Sequence, residues 1–183
     1  MELIHRLRDA GIAIFMALGG IAPAVAQSST TPQPTSPPCE VGSYLMADGT
    51  NLDIGPGTSG QLRWRRLDGH TGALKLQGNG RWTSTLGWTD RADGHVVTIS
   101  DCRNDAIRFD DVAGKRLPLI QTDTRFQGSG VTLAGRLTMP PGNARVPIVV
   151  LIHGAEHNSA LESYSLQRQF ASAGIGVFAY DKR

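Results

Sequence analysis

The chain has 183 residues, enough for one sizeable domain or two small ones. With 40% hydrophobic and 19% charged residues it has the composition of a soluble globular protein, and 22 glycines announce many turns. A net charge of +2 is too small to argue for nucleic acid or an anionic membrane surface as a partner.

The amino terminus reads as an address. Arg6 and Arg8 give a positive start, Gly11 to Ala22 is apolar, and Ala24-Val25-Ala26 offers a small-x-small cleavage site. The apolar run is about half of the ~20 residues that a membrane span requires. The pattern predicts a signal peptide over residues 1–26, export to the periplasm or outside the cell, and no stable membrane insertion after cleavage. No cysteine follows the site closely, which argues against a lipoprotein. Residues 27–38, rich in Ser, Thr and Pro, have little to bury and read as a disordered linker.

Cys39 and Cys102 are the two cysteines of the chain. In an oxidising compartment they most simply form one disulfide, whose loop would disfavour the unfolded chain by roughly 4 kcal/mol. Two thiols do not by themselves supply a four-ligand zinc site.

Residues 39–120 read as a small antiparallel β domain. Asp48-Gly49, Asp68-Gly69, Asn79-Gly80 and Asp93-Gly94 are pairs suited to type I′ hairpin turns. Between them lie the strand candidates Gln61–Leu67, Ala73–Leu76, Arg81–Trp88 and His95–Ser100. Leu62 and Trp64 alternate with Arg63 and Arg65, the pattern of one buried and one wet face, and Ile107 and Phe109 alternate likewise. Arg63, Arg65 and Arg66 beside Trp64 match a single-strand nucleic-acid surface only superficially, and a solvated strand face accounts for them. Trp82 and Trp88 have the rings to stack on a sugar, but tryptophans on hairpins are more often core. Asp110-Asp111 is too little for a calcium site.

In Val131–Thr138, apolar Val131, Leu133 and Leu137 alternate with Thr132, Ala134, Arg136 and Thr138, a strand with one covered face. Pro140-Pro141-Gly142 then turns the chain into Ile148–Ile152, a continuous apolar run expected to be a strand buried on both faces. Ser159 and Glu162 have capping-box spacing, so a helix is expected over Ala160–Ala173, with Leu166, Phe170 and Ala173 on one face and Gly174 as its C′ residue. Ile175–Tyr180 returns as a second buried strand, completing a parallel βαβ unit. His153-Gly154 falls at the carboxyl end of the first strand, where open α/β sheets place their chemistry.

His153-Gly154-Ala155-Glu156-His157 matches the H-x-x-E-H zinc signature. That chemistry needs both histidines on one helix face. The expected helix cap at Ser159 falls after both, so the metal reading is set aside and no metal or cofactor is expected. No Gly-rich phosphate fingerprint follows either strand.

Val-Val-Leu-Ile-His-Gly, with a loop and a helix after it, resembles the third strand and oxyanion loop of the α/β-hydrolase superfamily, as found in secreted bacterial serine esterases and serine aminopeptidase-like enzymes. Ile-Gly-Val-Phe-Ala-Tyr-Asp-Lys-Arg is similar to the fourth strand, and "GVTLAGRLTMPPG" to the strand before the His-Gly strand. The resemblance implies an α/β fold: the start of a hydrolase sheet over residues 121–183, truncated after the fourth strand and preceded by the small antiparallel β domain. It implies that Ala155, then Glu156, donates a backbone N–H to the oxyanion. Gly154 would permit close approach, and His153 would orient the loop without acting as catalytic base. The implied substrate is a small-molecule carboxylic ester or, failing that, a peptide bond.

That mechanism requires a Ser in a G-x-S-x-G elbow, then an acid and a His. Gly57-Thr58-Ser59-Gly60 and Gly128-Ser129-Gly130 have the wrong spacing, and Ser159, Ser163 and Ser165 fit cap and surface roles. The expectation is therefore a fragment of an exported serine hydrolase that supplies the oxyanion loop, carries none of the triad and shows no turnover alone. The apolar row Ile148–Ile152 would then be left as an exposed sheet edge. The alternative is a non-catalytic secreted β-domain that binds a partner or glycan, with a zinc peptidase behind it.

Overall fold

The computed structural model describes residues 38–99, 104–152, 154–155 and 157–182. The expected signal peptide over 1–26 and linker residues 27–37 lie outside the described residues. So do Cys102, on which the expected bridge to Cys39 depends, and His153 and Glu156.

The larger body is a closed barrel of eight consecutive antiparallel strands. They are β1 (Gly42–Met46), β2 (Asn51–Pro56), β3 (Leu62–Arg65), β4 (Thr71–Gly78), β5 (Arg81–Thr85), β6 (Ala92–Thr98), β7 (Ala106–Phe109) and β8 (Val112–Arg116). β8 closes onto β1 with Tyr44 opposite Arg116 and Leu45 opposite Lys115. At about eight strands a barrel interior is just wide enough to be filled by side chains. Here the alternating inward residues fill it: Tyr44, Leu52, Ile54, Leu62, Trp64, Leu74, Val97, Ile107 and Phe109 are each exposed by 4% or less. Burying each large apolar side chain contributes about 1.5–3 kcal/mol, so this interior is the molecule's main store of stability.

The seam is fastened by Arg116. Its guanidinium donates to the Val41 carbonyl at 2.6 Å, to the Cys39 carbonyl, and to the Tyr44 hydroxyl at 2.7 Å, and it pairs with Asp105 at 2.9 Å. The Tyr44 hydroxyl in turn donates to the Glu40 carbonyl at 2.8 Å.

The hairpins follow local chemistry, not always in the expected form. Asn79 and Gly80 both take positive φ, 50° and 70°, as a type I′ turn demands. At Asp48-Gly49 and Asp68-Gly69 only the glycine does. There the chain makes a wider loop, with Gly49 N–H on the Met46 carbonyl and Gly69 N–H on the Arg66 carbonyl, and the Asp carboxylate accepts the N–H two residues on. Asp93-Gly94 is not a turn: both residues lie inside β6, where pairing with β5 shifts register.

The second body is a four-stranded sheet in the order β11-β12-β10-β9. β9 (Ile120–Gly128), β10 (Val131–Met139) and β12 (Gly176–Tyr180) pair antiparallel, and β11 (Ile148–Leu151) pairs parallel with β12. The expected helix over Ala160–Ala173 is two short ones, α1 (Ala160–Ser163) and α2 (Leu166–Ser172), because the chain leaves helical geometry at Tyr164, ψ 98°. Ser159 accepts the Glu162 N–H at 3.2 Å, and Asp181 accepts the Ala160 N–H at 2.6 Å, so the cap is completed by a carboxylate from beyond β12.

α2 rests on the outside of the barrel. Arg168 forms a bidentate pair with Asp53 of β2 at 2.7 and 2.9 Å, and Asn51 donates to the Ser172 carbonyl at 2.9 Å.

The expected α/β class is overturned. Strands dominate the described chain, its helices have four and seven residues, and its core lies inside a closed antiparallel barrel. The α/β-hydrolase resemblance, drawn from local text around His153-Gly154, goes with it, and so do the esterase and hydrolase expectations that rested on it. A strand followed by His-Gly specifies a turn; it does not specify the sheet around it. The expectation that Ile148–Ile152 is buried on both faces also fails: Ile148, Val150 and Ile152 are 55%, 56% and 76% exposed on an edge strand.

Candidate ligand-binding site

β3 points Leu62 and Trp64 inward and Arg63 and Arg65 outward. Yet Arg63 is only 5% exposed, so this is not the solvated face expected of the arginines. Its guanidinium donates to the Gly87 carbonyl at 2.6 Å and the Thr71 hydroxyl at 3.3 Å, and lies 3.8 Å over the centre of the Trp88 ring. Burial lowers its pKa.

Trp88 departs furthest from expectation. It is 74% exposed, not core. β5 ends at Thr85, and the chain from Leu86 to Arg91 forms a separate loop tied by Leu86 N–H on the Arg91 carbonyl and Thr89 N–H on the Leu86 carbonyl. Gly87, at φ +56°, donates its N–H to the Thr71 carbonyl of β4. The ring is thus held by a cation–π contact with Arg63 while most of the residue stays open to solvent.

Beside Trp88 a groove of about 370 Å³ runs between the barrel and α2, lined by Arg65, Arg66, Leu67, His70, Gln169 and Phe170 among others. Leu67 and Leu166 are 48% and 42% exposed along it, while Gln169 is buried and donates to Ser165 Oγ at 3.0 Å. Arg65 donates to the Pro56 carbonyl at 3.1 Å. Burial lowers the Arg65 pKa against the opposing pull of Asp53, and the positive charges of Arg168 and Arg63 lower it further.

Arg66 and His70 also belong to a second cavity of about 340 Å³ at the mouth of the barrel, with Trp64, His95, Phe109 and Asp110. The Trp64 and Phe109 rings meet edge-on at 5.0 Å, His95 meets Trp64 at 5.8 Å, and the Arg66 guanidinium lies 5.1 Å from the Phe109 ring centre. His95 Nδ1 and Asp110 are 2.8 Å apart. The aromatic cluster plugs this end of the barrel. Around the rim, Asp48 and Asp68 are held below the usual carboxylate range, chiefly by hydrogen bonds from Thr50 and His70, with the Arg66 charge a smaller contributor.

Of the residues singled out from sequence, Gly154 and Ala155 lie in an exposed loop, where Gly154 N–H donates to the Tyr164 hydroxyl at 3.3 Å and its carbonyl accepts from Lys182. The oxyanion role given to Ala155 and Glu156, and the loop role of His153 and Gly154, had only the overturned resemblance behind them. α1 begins at Ala160, beyond His157, so His157 is not helical as the zinc signature requires. Among the described residues no group of three His, Cys, Asp or Glu is placed to hold a metal ion. Trp88 and Arg63 stand out in the sequence but are expected there in the core and on a solvated face, although Gly87 before Trp88 and Thr89-Asp90 after it carry a turn signal that breaks the strand alternation.

By fold and site, the described chain is a closed up-and-down β-barrel joined to a mixed sheet, with an aromatic platform beside a cationic groove. No protein-family model matches it, and no curated protein or solved structure does either.

Proposed function

We propose that the chain is an exported, non-catalytic β-barrel module that binds a carbohydrate on Trp88. The exposed Trp88 ring carries this reading. A flat, mostly exposed indole offers the C–H face of a pyranose ring a dry stacking surface, and the cation–π contact with Arg63 fixes its orientation before any ligand arrives. The adjoining groove adds what a sugar site needs: apolar walls from Leu67 and Phe170, and a small number of polar groups from His70 and Arg65. The leader-like text over residues 1–26 supports export, which would put the barrel where glycans are met.

Affinity electrophoresis of the mature chain through gels containing neutral and acidic polysaccharides tests it. At least one polysaccharide retards the native protein, and Trp88→Ala weakens that retardation roughly tenfold, as loss of a stacking contact would. Equal migration of wild type and Trp88→Ala in every gel would contradict the reading.

A further inference from the structure

We propose that the saccharide is acidic: the groove beside Trp88 takes a sugar bearing a carboxylate or sulfate, with that anion held by Arg65 and Arg66. The inference rests on the carbohydrate reading above and specifies its ligand.

The Arg63 guanidinium lies against the Trp88 ring, and Arg65 and Arg66 line the groove beside it, the Arg66 guanidinium reaching on to the Phe109 ring. Among the described residues none of them has a carboxylate within ion-pair distance. Asp53, whose charge acts on Arg65, makes its own short bonds to Arg168 and to the Ser43 hydroxyl at 3.3 Å. Arg65 spends itself on main-chain carbonyls, at 3.1 Å to Pro56 and 3.5 Å to Arg63. The Nε atoms of Arg63 and Arg66 are buried and have no hydrogen-bond partner among the described residues.

The groove's lining includes Arg65, Arg66 and His70 and no Asp or Glu, while Asp53 acts on Arg65, and Asp48 and Asp68 on Arg66, from outside it, so an anion entering the groove meets positive charge only. The planar guanidinium fork matches a carboxylate or sulfate, and charge-assisted bonds of this kind are about twice as strong as neutral ones. Asp68 does not oppose the anion from within the groove: it lines the barrel mouth and is held by His70 Nδ1 at 3.0 Å. Ring stacking on Trp88 with an anion on the neighbouring arginines therefore describes a sugar acid or sulfated sugar better than a neutral glycan.

Isothermal titration of the mature chain with polygalacturonate, its fully methyl-esterified form, dextran sulfate and neutral dextran tests the proposal, since esterification removes charge and keeps the backbone. Polygalacturonate or dextran sulfate binds roughly tenfold or more tightly than the ester and dextran, and the stronger of the two assigns the anion as carboxylate or sulfate. Arg65→Gln and Arg66→Gln each lower that affinity by roughly tenfold, Arg66→Lys by less, and Trp88→Ala lowers it too. If the charged and esterified forms bind alike and both arginine variants behave as wild type, the proposal falls while the carbohydrate reading stands. If dextran sulfate binds but Trp88→Ala leaves it unchanged, the contact is general charge attraction and the proposal falls as well. If none of the four binds, both fall. The comparison of charged and esterified polymer uses the wild-type chain, so it decides the matter even if an arginine variant fails to fold.

Discussion

Asp53 sits on the barrel's outer wall at 2% exposure, and its charge survives there because Arg168 reaches it with two short bonds. Removing one partner of a buried pair leaves the other charge uncompensated, which typically costs ~3–5 kcal/mol. Arg168→Ala should therefore lower stability by about 3 kcal/mol in urea unfolding, and Arg168→Leu combined with Asp53→Leu should recover much of it. A loss below about 1 kcal/mol for Arg168→Ala would show that Ser43 and Arg65 suffice to hold the carboxylate. Tyr44 gives a second test at this scale. Burial of its ring raises its pKa from 10.0 to about 12, outweighing the opposing charge of Arg116. The unfolded chain thus begins to ionise near pH 10 while the folded chain does not, so this stability is complete below pH 10 and drains away as pH rises towards 12. The urea midpoint should fall across that window in the wild type and fall less in Tyr44→Phe, which has no phenol to titrate. Parallel decline of the two proteins would contradict the assignment.

Gly72 of β4 pairs with Trp64 of β3 and has no room for a side chain. A Cβ there would press on the Ser84 hydroxyl and the Thr85 carbonyl and come 2.7 Å from Trp64 Nε1, where Trp64 now donates to Ser84 at 2.6 Å. Gly72→Ala should destabilise the barrel by about 1–3 kcal/mol, seen as a lower midpoint in thermal unfolding, with the Trp64 fluorescence altered. An unchanged midpoint would mean that β4 and β5 part easily. Much of the element pattern was legible. The alternation of Leu62 and Trp64 with two arginines places β3 correctly, Asn79-Gly80 marks its turn, and the apolar runs at Ile148 and Ile175 become the parallel pair β11 and β12. What failed has local physical causes. Asp93-Gly94 was absorbed into β6 as an irregularity, since a glycine at positive φ serves a bulge as well as a turn. The helix breaks at Tyr164, and beyond it Arg168 of α2 pairs with Asp53 on the barrel, a tertiary contact that helical spacing does not encode. Trp88 was read as the end of a strand, because hydrophobicity marks an exposed ligand platform and a core residue alike.

Over the whole molecule, the decisive feature is closure of β8 onto β1, which unites residues near Tyr44 with residues near Arg116. Nothing local in either stretch announces that pairing, so residues 39–120 read as a small antiparallel β domain without its closure, and the α/β class follows instead from the neighbourhood of His153. Closure also sets the candidate site. It fixes β3 and β4, whose outward residues meet the Leu86–Arg91 loop on one side and α2 on the other, so platform and groove are assembled from segments far apart in sequence. The proposed carbohydrate would rest on Trp88, not in the aromatic plug at the barrel mouth. Indole N–H signals of the three tryptophans, followed by proton–nitrogen NMR during titration with galacturonate oligosaccharides, test it most directly. Trp88 should shift progressively with ligand, whereas Trp64, buried at 4% exposure and bonded to Ser84, should stay in place. A Trp64 signal that moves while Trp88 remains still, or three signals that never move, would rule out binding on Trp88.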